Sequence, residues 1–184
     1  MNKQTITLLA AVAIASTSFA GPAAVSSKEF KQPVTSSTFF QDQEFTFDLA
    51  YSYNNAVRGG NHGYFHDKSG GAVGASYFFA RYFGVGVDGN WFEGAPDDAV
   101  LHQLTANVIL RYPIELTHFA VAPYVFGGGG EILDGKHTSL ADAGAGLEVR
   151  FTQHVGIFAD WRHNFTNHDR GDLSTTRAGV RFAF

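Results

Sequence analysis

The last eleven residues, Ser174 to Phe184, read Ser-Thr-Thr-Arg-Ala-Gly-Val-Arg-Phe-Ala-Phe. Phe184, Phe182, Val180, Ala178 and Thr176 fall on one face, and Ala183, Arg181, Gly179, Arg177 and Thr175 on the other. A period of two is the signature of a strand. One face is apolar and aromatic; the other carries two arginines. An exterior strand of a water-soluble sheet places polar groups outside. A strand that turns its aromatic face to lipid and its arginines to an interior accounts for this pattern, and the rest of the chain can be searched for its partners.

Composition narrows the search. The chain has 184 residues, 16% charged and 15% aromatic, with 18 Phe, 21 Gly and no Cys. That length suits one domain. The absence of cysteine excludes disulfides and thiolate metal sites. A net charge of -4 argues against nucleic acid as a partner, which calls for a basic face. Residues 1–20 carry the marks of a signal peptide: Lys3, an apolar run from Ile6 to Ile14, and Ser18-Phe19-Ala20 before Gly21. Residues 21–43 read as a flexible polar leader, with Phe30, Phe39 and Phe40 able to lie against a barrel rim. No stretch approaches the length of a membrane helix, so a membrane-spanning form of this chain must be a closed barrel.

Residues 44–184 supply the strands for one. From Glu44, Phe45, Phe47, Leu49, Tyr51 and Tyr53 alternate with polar or small residues. Further alternating segments run over Gly71–Phe79, Phe83–Phe92, Val100–Tyr112, Phe119–Gly130, Ser139–Phe151 and Val155–Phe165. The Phe119–Gly130 segment contains Pro123, which cannot donate to a ladder and should sit close to a turn. Its four glycines, 127 to 130, would let the strand bend sharply. Connections alternate between longer polar loops and short turns, beginning with a long one, Asn54 to Gly70. The expectation is an all-β fold, an eight-stranded antiparallel up-and-down transmembrane β-barrel. Loops of this rhythm place the short turns and both termini on the periplasmic side of a bacterial outer membrane.

The segment Tyr77-Phe78-Phe79-Ala80-Arg81-Tyr82-Phe83-Gly84-Val85-Gly86 is a strand-turn-strand of a recognisable type. Ala122-Pro123-Tyr124, Gly146-Leu147-Glu148-Val149-Arg150 and Gly156-Ile157-Phe158-Ala159-Asp160-Trp161-Arg162 are of the same style. Through them the chain resembles the small eight-stranded outer-membrane barrels of Gram-negative bacteria, the OmpA, OmpX and opacity-protein group. The resemblance covers about Glu44 to Phe184. It implies that Val180, Phe182 and Phe184 form the terminal signal read by the barrel-assembly machinery. It also implies contact with outer-membrane lipid and lipopolysaccharide, a monomer, and no cofactor.

On the inward parity lie Asp48, Asp88, Asp142, Glu148 and Asp160, together with Arg111, Arg150, Arg162, Arg177 and Arg181. An eight-stranded barrel is just wide enough for side chains to fill. These charges should pair, since an unpaired buried charge is very costly. Closure of the last strand on the first should bring Arg177 and Arg181 near Asp48, with Asp160 and Arg162 close by. The resulting expectation is a lumen plugged by ion pairs in a non-catalytic protein of structural or surface-interaction type. A narrow channel is the alternative for the same residues.

Tyr51, Tyr53, Tyr77, Phe79, Phe83, Trp91, Tyr112, Phe151, Trp161, Phe165, Phe182 and Phe184 fall on the outward parity near strand ends, as interfacial girdles do. His163 shares that parity. Arg162-His163-Asn164-Phe165-Thr166-Asn167 resembles the catalytic stretch of the lipid A deacylase PagL, with Phe165 where that family has serine. An outer-leaflet lipid A-modifying enzyme is therefore the alternative function. His62 and His66, near Asp67, read as solvated loop histidines rather than metal ligands, and no metal site is expected. Arg170-Gly171-Asp172 reads as a chance tripeptide.

Overall fold

The computed structural model describes residues 39–57, 68–93, 100–133, 138–166 and 172–184. The signal segment, the leader up to residue 38, and His62, His66, Asp67, Arg170 and Gly171 lie outside the described residues. The strands are β1 (Glu44–Ala56), β2 (Lys68–Ala80), β3 (Phe83–Glu93), β4 (Val100–Arg111), β5 (Ile114–Glu115), β6 (Ala120–Leu133), β7 (Thr138–Arg150), β8 (Val155–Thr166) and β9 (Leu173–Ala183). Eight of them form the wall, each antiparallel to its neighbours. β1 pairs with β9 and closes the barrel. The two-residue β5 pairs only with the start of β6. Closure leaves the wall no free edge.

Alternation sorts every wall strand into a lipid face and a lumen face. β4 is the cleanest, exposed and buried by turns along its whole length. The outward face is apolar: Phe47, Leu49, Val87, Leu104, Val108, Leu110, Val125, Leu147 and Ile157 are all exposed. The inward face is polar at mid-height and apolar at both ends. Phe92, Leu101, Ile132, Leu140 and Leu173 cluster at the end that carries the longer connections. Phe40, Ala120 and Ala122 cluster at the end that carries the terminus and the short turns.

Pro123 sits inside β6, opposite Leu147 of β7. Its carbonyl accepts from the Tyr112 N–H at 2.9 Å. The N–H and C=O of a strand residue point to the same side, so the donor that Pro123 lacks would face Tyr112, just past the end of β4. The β7 ladder therefore loses nothing, and the closed barrel accommodates a proline near a turn. The glycine run is strand throughout, paired with both β4 and β7. A Cβ on Gly128 or Gly130 would run into the Ala106 or Leu104 carbonyl of β4. Close approach of the backbones, rather than a turn, accounts for those two glycines. β6 reaches Leu133 and β7 starts at Thr138, so the connection between them is shorter than the expected Glu131–Thr138 loop.

Four inward aromatic residues lie opposite a glycine on the next strand: Phe78 with Gly84, Tyr124 with Gly146, Phe126 with Gly144, and Phe158 with Gly179. A Cβ at Gly84, Gly144 or Gly146 would enter the ring of its partner. The absent side chains make room for aromatic rings within a lumen that is only side-chain wide.

Candidate functional site in the barrel lumen

The lumen holds two ion-pair groups between the apolar ends. Nearest the terminus, Glu44 opens β1 and accepts four bonds, one from the Gln41 N–H at 3.2 Å and three from arginines. Arg111 Nη1 donates to Oε1 at 2.8 Å, Arg150 Nη1 to Oε2 at 2.6 Å, and Arg150 Nη2 to Oε1 at 2.7 Å. Arg150 Nη1 also donates to the Phe39 carbonyl at 2.7 Å. Both guanidiniums stand over the Phe40 ring, at 4.7 Å for Arg111 and 4.2 Å for Arg150. Phe40 is fully buried.

Arg150 continues inward by donating Nε to Glu148 Oε1 at 2.5 Å. Glu148 Oε2 accepts from Arg181 Nη1 at 2.7 Å. Arg181 then clasps Asp48 with two bonds, Nε to Oδ1 at 2.7 Å and Nη2 to Oδ2 at 2.6 Å. Six side chains from four strands thus form one chain of charge-assisted bonds.

The second group lies further from the terminus. Arg177 grips Asp160 through Nε and Nη2 at 2.9 and 2.7 Å, and donates Nη1 to Asp88 at 2.6 Å. Arg162 donates to Asp88 at 3.0 Å and to Asp142 at 3.1 Å. Tyr124 links the groups: its hydroxyl donates to Asp160 at 2.9 Å while Arg181 stands 5.4 Å from its ring centre. Above this group is a neutral layer in which Ser52, Asn90, Asn54, Thr175, Asn164 and Gln103 bond one another.

Arg111 and Arg162 also cover the gly-paired rings, at 3.5 Å over Phe78 and 4.9 Å over Phe126. Arg181 stands 4.8 Å from the Phe158 ring centre. Each arginine head is thus hydrogen-bonded in plane and packed against a ring face, which is how guanidinium is best accommodated away from water.

The lumen brings together Asp48, Asp88, Glu148, Asp160, Arg111, Arg150, Arg162, Arg177 and Arg181. One expected pairing differs. Arg181 reaches Asp48, but Arg177 pairs with Asp88 and Asp160 instead. The register explains this: Asp48 is the Cα partner of Arg181, while Arg177 lies opposite Ser52 on β1 and Asp160 on β8. Glu44 and Tyr124 as site residues and the four ring–glycine pairs escaped the sequence reading, whereas Phe40, expected at the rim, is buried at the barrel end. Glu44 shares the parity of Asp48 and could have been found from it. Nothing local marks Phe40 as a lumen residue.

Outside the barrel, Val180, Phe182 and Phe184 face outward on β9 and just past its end. Phe184 and Phe45 exchange backbone bonds at 2.9 and 3.2 Å. His163 faces outward, with Nε2 3.6 Å from Asp172 Oδ2 and its ring edge-on to Phe165. Its Cα partner on β9 is Ser174, whose hydroxyl oxygen accepts from Trp161 Nε1 at 2.6 Å. The register thus places a serine beside His163, with its hydroxyl bonded to Trp161. Among the described residues no group of three or more His, Asp or Glu is arranged to hold a metal ion.

No family model matches the chain, and no curated protein sequence matches it. Solved structures do. A structure from the de novo design of transmembrane β-barrels aligns at 16% identity over 78% of this chain and 98% of its own, with a TM-score of 0.57. Ail, the attachment invasion locus protein of Yersinia pestis, aligns at 15% identity over 78% and 99%, with a TM-score of 0.53. The N-terminal β-barrel domain of Pseudomonas aeruginosa OprF aligns at 15% identity over 78% and 99%, with a TM-score of 0.52. At these identities the likeness is one of fold, and the fold is that of the small eight-stranded outer-membrane β-barrels.

Proposed function

We propose that this protein is a non-catalytic β-barrel of the bacterial outer membrane, with a structural or surface-interaction role and a lumen plugged by ion pairs. The observation that carries the reading is the bonded run from Glu44 through Arg150, Glu148 and Arg181 to Asp48, capped by apolar clusters at both ends. Mobile ions need sites that bind weakly enough to release them. Here every guanidinium among the described lumen residues is held by at least one carboxylate. The apolar outward face supports residence in lipid. The signal-like residues 1–20 support export, and an even number of wall strands puts both barrel ends of the chain on one side, taken as periplasmic.

In this reading the outward aromatics meet outer-membrane lipid and lipopolysaccharide. Val180, Phe182 and Phe184 are the terminal signal for the barrel-assembly machinery, and the protein acts as a monomer. Folded, unheated protein should migrate differently from boiled protein on a detergent gel and fractionate with outer membranes. Recovery as a soluble periplasmic protein would overturn the reading. Step-like conductance in planar bilayers would replace the plug with a narrow channel.

A second reading, an enzyme acting on outer-leaflet lipid esters, draws on the Ser174–His163–Asp172 grouping. In it Ser174 is the nucleophile, His163 takes its proton and Asp172 orients the ring. Two facts rank it second. The His163–Asp172 separation of 3.6 Å exceeds hydrogen-bond range, and the Ser174 oxygen is held by Trp161. Hydrolysis of a long-chain ester by the wild type, abolished in both Ser174→Ala and His163→Ala, would reverse the ranking.

A further inference from the structure

Three buried oxygens in the second ion-pair group and the neutral layer above it have no donor among the described residues: Asp142 Oδ1, Asn107 Oδ1 and Gln103 Oε1. The three residues are 4%, 5% and 3% exposed. Their neighbours fix which amide atoms are left over. Asn107 Nδ2 donates to Asp88 Oδ2 at 2.9 Å, so its oxygen faces away from that carboxylate. Asn164 Nδ2 donates to the Leu173 carbonyl and to Thr175 Oγ1, which leaves Asn164 Oδ1 to accept from Gln103 Nε2 at 2.8 Å. Both leftover amide atoms are therefore acceptors.

The register puts two of these oxygens, those of Asn107 and Asp142, in one region. Asn107, Gly128, Asp142 and Asn164 form a single row across β4, β6, β7 and β8. Gly128 contributes no side chain to that row. A Cβ built on it would lie 2.7 Å from Asn107 Oδ1, so this oxygen leans over Gly128 toward Asp142. Gln103 stands two rows nearer the longer connections on β4 and meets this row only through its bond to Asn164, the ladder neighbour of Asp142. Arg162 bounds the region, with Nη1 donating to Asp142 Oδ2 and Thr105 Oγ1. Arg162 Nε is the one donor here without an acceptor among the described residues, against the two acceptors Asp142 Oδ1 and Asn107 Oδ1.

Charge balance points the same way. The described lumen-facing residues include six carboxylates (Glu44, Asp48, Asp88, Asp142, Glu148 and Asp160) and five guanidiniums (Arg111, Arg150, Arg162, Arg177 and Arg181). Lys68 and Glu93 cancel each other in a rim pair at 3.3 Å. Among the described lumen residues one negative charge is left over, and two of the leftover acceptors, Asp142 Oδ1 and Asn107 Oδ1, share the Gly128 row. A buried, uncompensated charge facing a second acceptor is strongly unfavourable. A monovalent cation restores neutrality, whereas a divalent one overshoots it. Carboxylate and amide oxygens suit hard cations rather than softer metals.

We propose that the lumen binds one alkali cation, sodium or potassium, over Gly128 between Asp142 Oδ1 and Asn107 Oδ1. The site lies outside the clasps that close the barrel and would be filled as the protein folds.

Two measurements on the full barrel test it. Crystals grown with thallium(I), a scattering stand-in for potassium, should show anomalous density bonded to Asp142 Oδ1 and Asn107 Oδ1. Ordinary water density there, with no anomalous signal, overturns the proposal. In micelles, the urea midpoint should rise with potassium and saturate, relative to N-methylglucamine at equal ionic strength. Asp142→Asn should abolish that rise, and Asn107→Ala should shift its half-saturation to higher potassium. Equal wild-type midpoints in the two salts also overturn the proposal, whether or not either variant folds.

Discussion

Arg181 of the last strand and Asp48 of the first are Cα partners joined by two parallel hydrogen bonds, 2.7 and 2.6 Å long. The clasp spans the seam where the chain's two ends close the wall. Both side chains are nearly inaccessible to water. Breaking a buried pair by removing one partner typically destabilises by about 3–5 kcal/mol. Arg181→Met should therefore lower the unfolding free energy in micelles by about that much, since Asp48 loses its partner. Replacing both at once, Arg181→Met with Asp48→Leu, should cost less than the single change. Urea titration of both variants gives the comparison.

Phe40 precedes the first strand, yet its ring is packed beneath Arg111 and Arg150. Truncating a fully buried phenylalanine costs roughly 3–5 kcal/mol. Phe40→Ala should show a loss of that order by urea titration. It should also speed hydrogen exchange at the start of β1 and β6 without altering the centre of the wall.

Gly144 faces the Phe126 ring and the Trp161 carbonyl so closely that a methyl group has no place. Gly144→Val should destabilise by about 1–3 kcal/mol, the usual penalty for overfilling a packed interior. Adding Phe126→Ala should recover part of the loss, because the two sites share one volume. A double-mutant cycle measures that coupling.

Leu104 is exposed near the middle of β4, and Tyr112 is exposed just past its end. Arginine on the lipid face costs about 2–4 kcal/mol at mid-bilayer and about 0–1 kcal/mol near the interface. Leu104→Arg should therefore impair folding into vesicles far more than Tyr112→Arg. Equal effects would mean that the outer face does not meet hydrocarbon.

Phe184 is highly exposed and touches the barrel mainly through its backbone exchange with Phe45. Deleting it should reduce the amount of folded protein in the outer membrane of cells. Purified protein should still refold in micelles. Normal assembly in cells would remove the signal role assigned to Val180, Phe182 and Phe184.

Alternation determined the fold class, the approximate ends of the strands and the inward direction of ten charged residues, from Asp48 to Arg181. It could do so because the two faces of this wall meet opposite solvents, and a one-residue slip would put arginine in lipid and phenylalanine among ion pairs. Asp48 and Arg181 could both be placed inside from parity. Partner choice was not legible in this way, since parity is blind to height along the barrel. Only the register set Arg177 against Asp160 and Asp88, and set Ser174 beside His163. The matching of inward rings to glycines was hidden as well. Parity turns Phe78 inward between Tyr77 and Phe79, but only the ladder shows that Gly84 makes room for its ring. Phe40 lies outside any periodic segment, so its burial follows from three-dimensional closure of the barrel end around Glu44, Arg111 and Arg150.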